Sequence, residues 1–146
     1  MPAINCIAEF DIKRPVRKIL HNGIVLNILD TGKEDVVRLD LVMGCGQVDQ
    51  KFPLQAMMTN RMLREGTAHM TSAQIAEKLD FYGAWLDLSS SVNSGFITLY
   101  SLGKFFGHTI KVLAEMVKEP VFPERELRIV TETNKQTYLV NSERVE

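Results

Sequence analysis

Residues Leu54 to Thr67 read LQAMMTNRMLREGT, and the rest of the chain is understood outward from them. Pro53 opens a helical window in which Leu54, Met58 and Met62 recur at four-residue spacing with Leu63 alongside, until Gly66 supplies a stop. That spacing predicts a helix with Leu54, Met58 and Met62 on its packing face. Positions i, i+3 and i+4 of a helix are neighbours, so Met57, Asn60 and Arg61 stand together on a second side.

Upstream, the segments 18–20 and 24–29 flank His21-Asn22-Gly23, and an Asn-Gly pair between apolar runs predicts an antiparallel hairpin. Asp30-Thr31-Gly32-Lys33 supplies a second turn. Val37, Leu39, Leu41 and Met43 then alternate with Arg38, Asp40 and Val42 in a strand that ends at Gly44-Cys45-Gly46. Downstream, Thr71-Ser72-Ala73-Gln74 is a capping box, followed by Ile75, Leu79 and Tyr82 on one helix face and by Gly83 as terminator. Strands are expected over 84–90 and 96–102, joined at Asn93-Ser94-Gly95, with Phe96, Thr98, Tyr100 and Leu102 facing one side. Phe106, Ile110, Leu113 and Val117 form a helical stripe, and a last helix is expected from Glu124 to about Tyr138.

A strand meander, two helices, a hairpin and two helices predict an α+β fold: an antiparallel sheet with helices packed on one face. The 146 residues fit a single domain, 1–146, with an N-terminal arm at 1–17. Polar, helix-compatible residues run on to Glu146, which suggests the N-terminal fragment of a longer chain.

Charge narrows the partners. The 17 Lys plus Arg balance 18 Asp plus Glu without a run of five like charges, so nucleic acid and anionic membranes are not expected partners. No apolar run approaches the roughly 20 residues needed to span a bilayer, and the start lacks a basic segment followed by an apolar one. A cytoplasmic location follows as the expectation. Cys6 and Cys45 make neither a disulfide framework nor a zinc motif and are read as reduced thiols.

Taken together, these words resemble the N-terminal domain of the pitrilysin, insulinase and mitochondrial processing peptidase family, whose zinc motif is the inverted H-x-x-E-H. Leu20-His21-Asn22-Gly23-Ile24 resembles its opening hairpin, Met43-Gly44-Cys45-Gly46 its second strand and glycine turn, and Met62 to Thr67 the segment after its zinc helix. Thr71 to Ala84 and the stretch EPVFPEREL, Glu119 to Leu127, match further family words in order. The resemblance implies a zinc-binding scaffold in which Met57, Asn60 and Arg61 occupy the places of His, Glu and His.

Chemistry does not carry over with the scaffold. A thioether suits hydrolytic zinc poorly, an amide cannot take a proton from water, and a permanent guanidinium cation repels the metal. The family's third ligand, a glutamate on the last helix, aligns near Thr137 or Tyr138, and the nearest acid, Glu132, lies more than a turn away. No catalytic residue, no metal ligand and no cofactor is therefore expected, although active members of the family use zinc. The resemblance implies a non-catalytic subunit or scaffold, as a homo-oligomer or as a heterodimer with an active zinc-peptidase homologue, for peptide binding or processing. Two alternatives stand beside it: an active zinc metalloendopeptidase whose ligands come from elsewhere in the full chain or from a partner subunit, and a purely architectural domain. Asn60, Arg61 and Arg64 are candidate peptide or partner contacts, weighed against an ordinary solvated helix face.

Other groupings are weaker. His21, His69 and His108 could build a composite metal site only if the fold gathered them. Gly32-Lys33 and Gly103-Lys104 lack the earlier glycine of a phosphate loop, since Asn27 and Thr98 hold those positions. Ser89-Ser90-Ser91 reads as the end of a hairpin rather than a nucleophile.

Overall fold

A computed structural model describes residues 12–32 and 34–143 of the protein. Cys6 and most of the expected N-terminal arm lie outside the described residues, as do Lys33 of the second turn and the side chain of Tyr138. The chain divides into two compact units, one ending at Glu34 and the other beginning at Asp35.

In the first unit β1 (Val16–Ile19) pairs antiparallel with β2 (Val25–Ile28), Val16 opposite Ile28 and Ile19 opposite Val25. The turn works as the Asn-Gly signal predicts. Gly23 takes φ +83, which a side chain disfavours, and its N–H donates to the Leu20 carbonyl at 2.9 Å. Leu20 N–H in turn donates to the Ile24 carbonyl at 2.9 Å, so these two residues close the turn rather than extend the strands.

The second unit is built on a three-stranded antiparallel sheet in the order β3 (Val36–Met43), β5 (Gly95–Leu102), β4 (Trp85–Ser90). Pairing aligns Leu39 with Leu99 and Leu86, and Leu41 with Ile97 and Leu88, so the period-two alternation of three strands stacks one apolar face. Ile97 and Leu99 on the central strand are 0% exposed. Phe96, Thr98 and Tyr100 share a side, as expected, and that side is the one opposite the core. It carries Trp85 beside Tyr100 at 5.3 Å between ring centroids and the Arg38 guanidinium 5.5 Å from the Tyr100 ring. A hydrogen bond from Arg38 to Asp40, and attraction to its carboxylate, hold the guanidinium above its ordinary range.

Three helices begin or end as their signals dictate. In α2 (Ser72–Phe81) the Gln74 N–H donates to Thr71 Oγ1 at 3.3 Å while Thr71 N–H donates to Gln74 Oε1 at 2.9 Å, which completes the capping box. Gly83 follows at φ +60, a conformation open to glycine. In α3 (Phe106–Lys118) the buried residues are Thr109, Val112, Leu113 and Met116, with Phe106, Ile110 and Val117 half-buried at the margins. The expected stripe is therefore rotated, because the Thr109 hydroxyl reaches Ser101 on β5 at 3.0 Å and brings its own side of the helix inward. The last helix, α4 (Glu124–Glu143), runs past Tyr138.

The opening helix differs from expectation at its start. It spans α1 (Gln55–Met62), and Leu54 is its cap at φ +67. A left-handed residue leaves the helical path, so Leu54 is 61% exposed instead of joining Met58 and Met62 on the packing face. Met62 is 1% exposed and Leu63 belongs to the core shared with α2, α3 and the sheet. None of the described helices is long and apolar enough to cross a membrane.

Candidate functional site

The site grows from α1 and the two surfaces it touches. Its first turn is held by neighbouring amides: Lys51 N–H donates to Gln55 Oε1 at 2.8 Å, and Ala56 N–H to Gln50 Oε1 at 3.4 Å. Its far end runs into Gly66 at φ +155, after which the Thr67 N–H donates to the Met70 carbonyl at 2.8 Å. The helix is thereby fixed against the β4–β5 hairpin on one side and α4 on the other.

Asn60 faces the hairpin and is 5% exposed. Its Nδ2 donates to the carbonyls of Ser89 and of Phe96, the latter at 3.1 Å, so the amide fastens the helix to two paired strands. Its Oδ1 is buried and, among the described residues, has no partner. A carboxylate in this place would meet two carbonyl oxygens, whereas an amide can donate to them.

Arg61 turns the other way. Its Nη1 donates to Asn134 Oδ1 on α4, and Asn134 Nδ2 donates back to the Val130 carbonyl at 2.7 Å, with the Met58 sulfur 3.8 Å from that nitrogen. Arg61 forms no ion pair with a described carboxylate; Arg64 has Glu65 at 3.9 Å. Both guanidinium groups are exposed, and Asn60 is not, so Arg61 and Arg64 are the sequence candidates available to a ligand.

Two grooves meet at Arg61. One of about 470 Å³ runs between the start of α1 and the edge strand β4, where Met57 and Leu54 line it together with Gln47, Gln50, Leu88, Ser89 and Ser90. The other, of about 380 Å³, lies between α1 and α4 and contains Arg64, Glu65, Glu126 and Asn134. Ser89 and Ser90, two of the three serines read from sequence as a hairpin end, thus line the first groove.

The residues present do not fit zinc. At the three motif positions stand a thioether, a buried amide already committed to carbonyls, and a cation bonded to an amide across the helix pair. On α4, the Thr137 hydroxyl donates to the Thr133 carbonyl at 2.9 Å and stays with its own helix, while Glu132 is exposed. Among the described residues no three His, Cys, Asp or Glu side chains come together as a metal site. The histidines are separately engaged: His69 lies 3.1 Å from a Glu119 carboxylate oxygen, His108 stacks on Tyr82 at 5.0 Å between centroids, and His21 sits in the hairpin turn of the first unit.

Asn134 was not singled out from the sequence. It stands three residues before Thr137, on the same helical face, and helix periodicity alone contains that signal. Gln47, Gln50 and Leu88 could not be found that way, because the groove exists only where a helix start meets a strand edge.

No family model matches the sequence, and no curated protein matches it either. Solved structures do match. The inactive domain of a peptidase M16 from Pseudomonas fluorescens superposes with a TM-score of 0.77 at 23% identity, covering 83% of this chain and 30% of that one. A protease from Helicobacter pylori superposes with a TM-score of 0.73 at 14% identity, covering 84% of this chain and 31% of that one. The chain therefore has the fold that these two structures share, as the resemblance implied, and spans under a third of the length of either.

Proposed function

We propose that this chain is part of a zinc-peptidase-like protein that has lost its ligands and serves as a non-catalytic subunit, paired with an active homologue in peptide binding or processing. One observation carries the reading: the motif side chains have been put to structural use, Asn60 inward onto the β4–β5 hairpin and Arg61 across to Asn134. A position that holds helix to strand through an amide and helix to helix through a guanidinium is no longer organised around a metal.

The peptidase fold and the groove along β4 support the remainder. Pairing is supported by apolar side chains left open on the outer side of the sheet, among them Val36, Val42 and Trp85. The proposed setting is the cytoplasm.

Metal content measured by mass spectrometry after purification in zinc-supplemented medium tests this directly. The expected result is well below one zinc per chain, with no peptidase activity alone and altered activity or substrate range when an active homologue is added. Stoichiometric zinc together with peptide hydrolysis by the isolated protein would replace this reading with that of an active metalloendopeptidase whose ligands come from outside these 146 residues.

A further inference from the structure

The sheet of the second unit ends in two strands of different character. Among the described residues β3 pairs with β5 alone, in unbroken register from Val36 to Met43. Proline, lysine and bulges are devices that keep an open edge from pairing with another chain, and VVRLDLVM has none of them. At the other end β4 is shorter and carries Asp87 as its one charge, with no cation on the strand to oppose it.

One hydrogen bond fixes the direction of every backbone group on β3. Gly103 N–H donates to the Asp35 carbonyl at 3.0 Å, so Asp35, just before the strand, turns its backbone groups toward β5. Direction alternates along an antiparallel strand: Val37, Leu39, Leu41 and Met43 share it, while Val36, Arg38, Asp40 and Val42 turn their N–H and carbonyl groups to the open edge. The side chains of those last four stand on the outer side of the sheet and are exposed. The inward row stays half-buried, although Ile97 and Leu99 beside it on β5 are fully buried. A strand alongside β3 is what both rows lack.

We propose that β3 pairs antiparallel with β3 of a second copy of this chain, about a two-fold axis at Leu39. Edge-facing residues must meet edge-facing residues, so the axis of a symmetric pair passes through a residue rather than between two. An axis at Arg38 sets Arg38 against its own copy, one at Asp40 does the same with Asp40, and axes further out shorten the ladder. The axis at Leu39 opposes Arg38 of each copy to Asp40 of the other, Val36 to Val42, and Val37 to Leu41, so every charge meets its opposite and every apolar residue an apolar one. Arg38 Nε donates to Asp40 of its own strand at 3.1 Å with the guanidinium 5.5 Å from the Tyr100 ring, and Thr98 Oγ1 donates to the same carboxylate at 2.7 Å. These contacts persist in the pair, where two such ion pairs stand head to tail across the seam. The proposal goes beyond the pairing with an active homologue: the partner is a second copy, the contact is an edge rather than a face, and neither zinc nor peptide enters it.

Sedimentation equilibrium and residue-resolved hydrogen exchange on the full chain test it. The expected result is a dimer with a Kd below about 100 μM, in which the amides of Val36, Arg38, Asp40 and Val42 are protected. Arg38→Asp sets carboxylate against carboxylate and Asp40→Arg sets cation against cation, so each alone should weaken the dimer by about tenfold or more. Mixed together, the two variants oppose a carboxylate to a guanidinium at both crossings and should regain the affinity of the unaltered chain, which also shows that both fold. Val42→Pro removes an edge-facing N–H and none that reaches β5, and should weaken the dimer while circular dichroism stays unchanged. A chain that stays monomeric at about 1 mM, or whose edge amides are protected in the monomer, overturns the inference. So does a dimer indifferent to the single charge changes, or one that the mixture fails to restore.

Discussion

On its inner side α1 presents Met62 and Asn60 at 1% and 5% exposure; on its outer side Arg61 lies open between two grooves, with Met57 half-buried beside it. The inner side is held by burial and by an amide that no solvent can replace. Arg61 on the outer side is held by a single polar contact, Nη1 on Asn134. A helix can therefore keep its place in a fold after its reactive groups are gone, because the energy that docks it and the groups that would do chemistry sit on different faces. Asn60 belongs to the inner side, where its amide works as a rivet between α1 and the β4–β5 hairpin.

Four substitutions grade this contrast, beginning with the largest effect. Met62→Ala removes a fully buried side chain and should destabilise the protein by about 3 kcal/mol, within the usual range of 2–5 for such truncations. Urea unfolding with an unchanged m-value is the check, and a loss under about 1 kcal/mol would mean that the inner side is not the anchor. Asn60→Ala comes next, at about 1 kcal/mol, because it leaves the carbonyls of Ser89 and Phe96 without their donor but also removes the unpartnered Oδ1. A gain in stability from that change would show that the buried amide is a liability rather than a fastening.

The smallest effect belongs to the outer side. Arg61→Ala and Asn134→Ala should each shift stability by no more than about 0.5 kcal/mol, with a coupling of similar size or less in a double-mutant cycle, since exposed pairs contribute little. Coupling above about 1.5 kcal/mol would erase the difference between the two faces and make the Arg61–Asn134 contact a structural tie in its own right.

Much of this was legible beforehand where the signals are local. The Asn22-Gly23 turn, the Thr71–Gln74 capping box and the alternation of Val37, Leu39, Leu41 and Met43 each follow from backbone sterics or hydrogen-bond geometry within a few residues, and each stands where expected. The departures are of two kinds, one a local backbone conformation and one a contact between a helix and a strand. Leu54 left the packing face because the cap of α1 is left-handed, and α3 rotated to bring Thr109 to Ser101. No periodicity over Leu54 to Met62 announces the first, and none over α3 announces the second.

The sequence by itself determined the α+β order and the absence of a His, Glu and His at positions 57, 60 and 61, because residue identity and local spacing are one-dimensional facts. Only the tertiary structure decided what the replacements do. Asn60 and Arg61 are adjacent in the chain, and neither side chain reveals its role there. A helix turns successive residues by about 100°, so one was delivered to the carbonyls of a hairpin some thirty residues away and the other to an amide on the last helix.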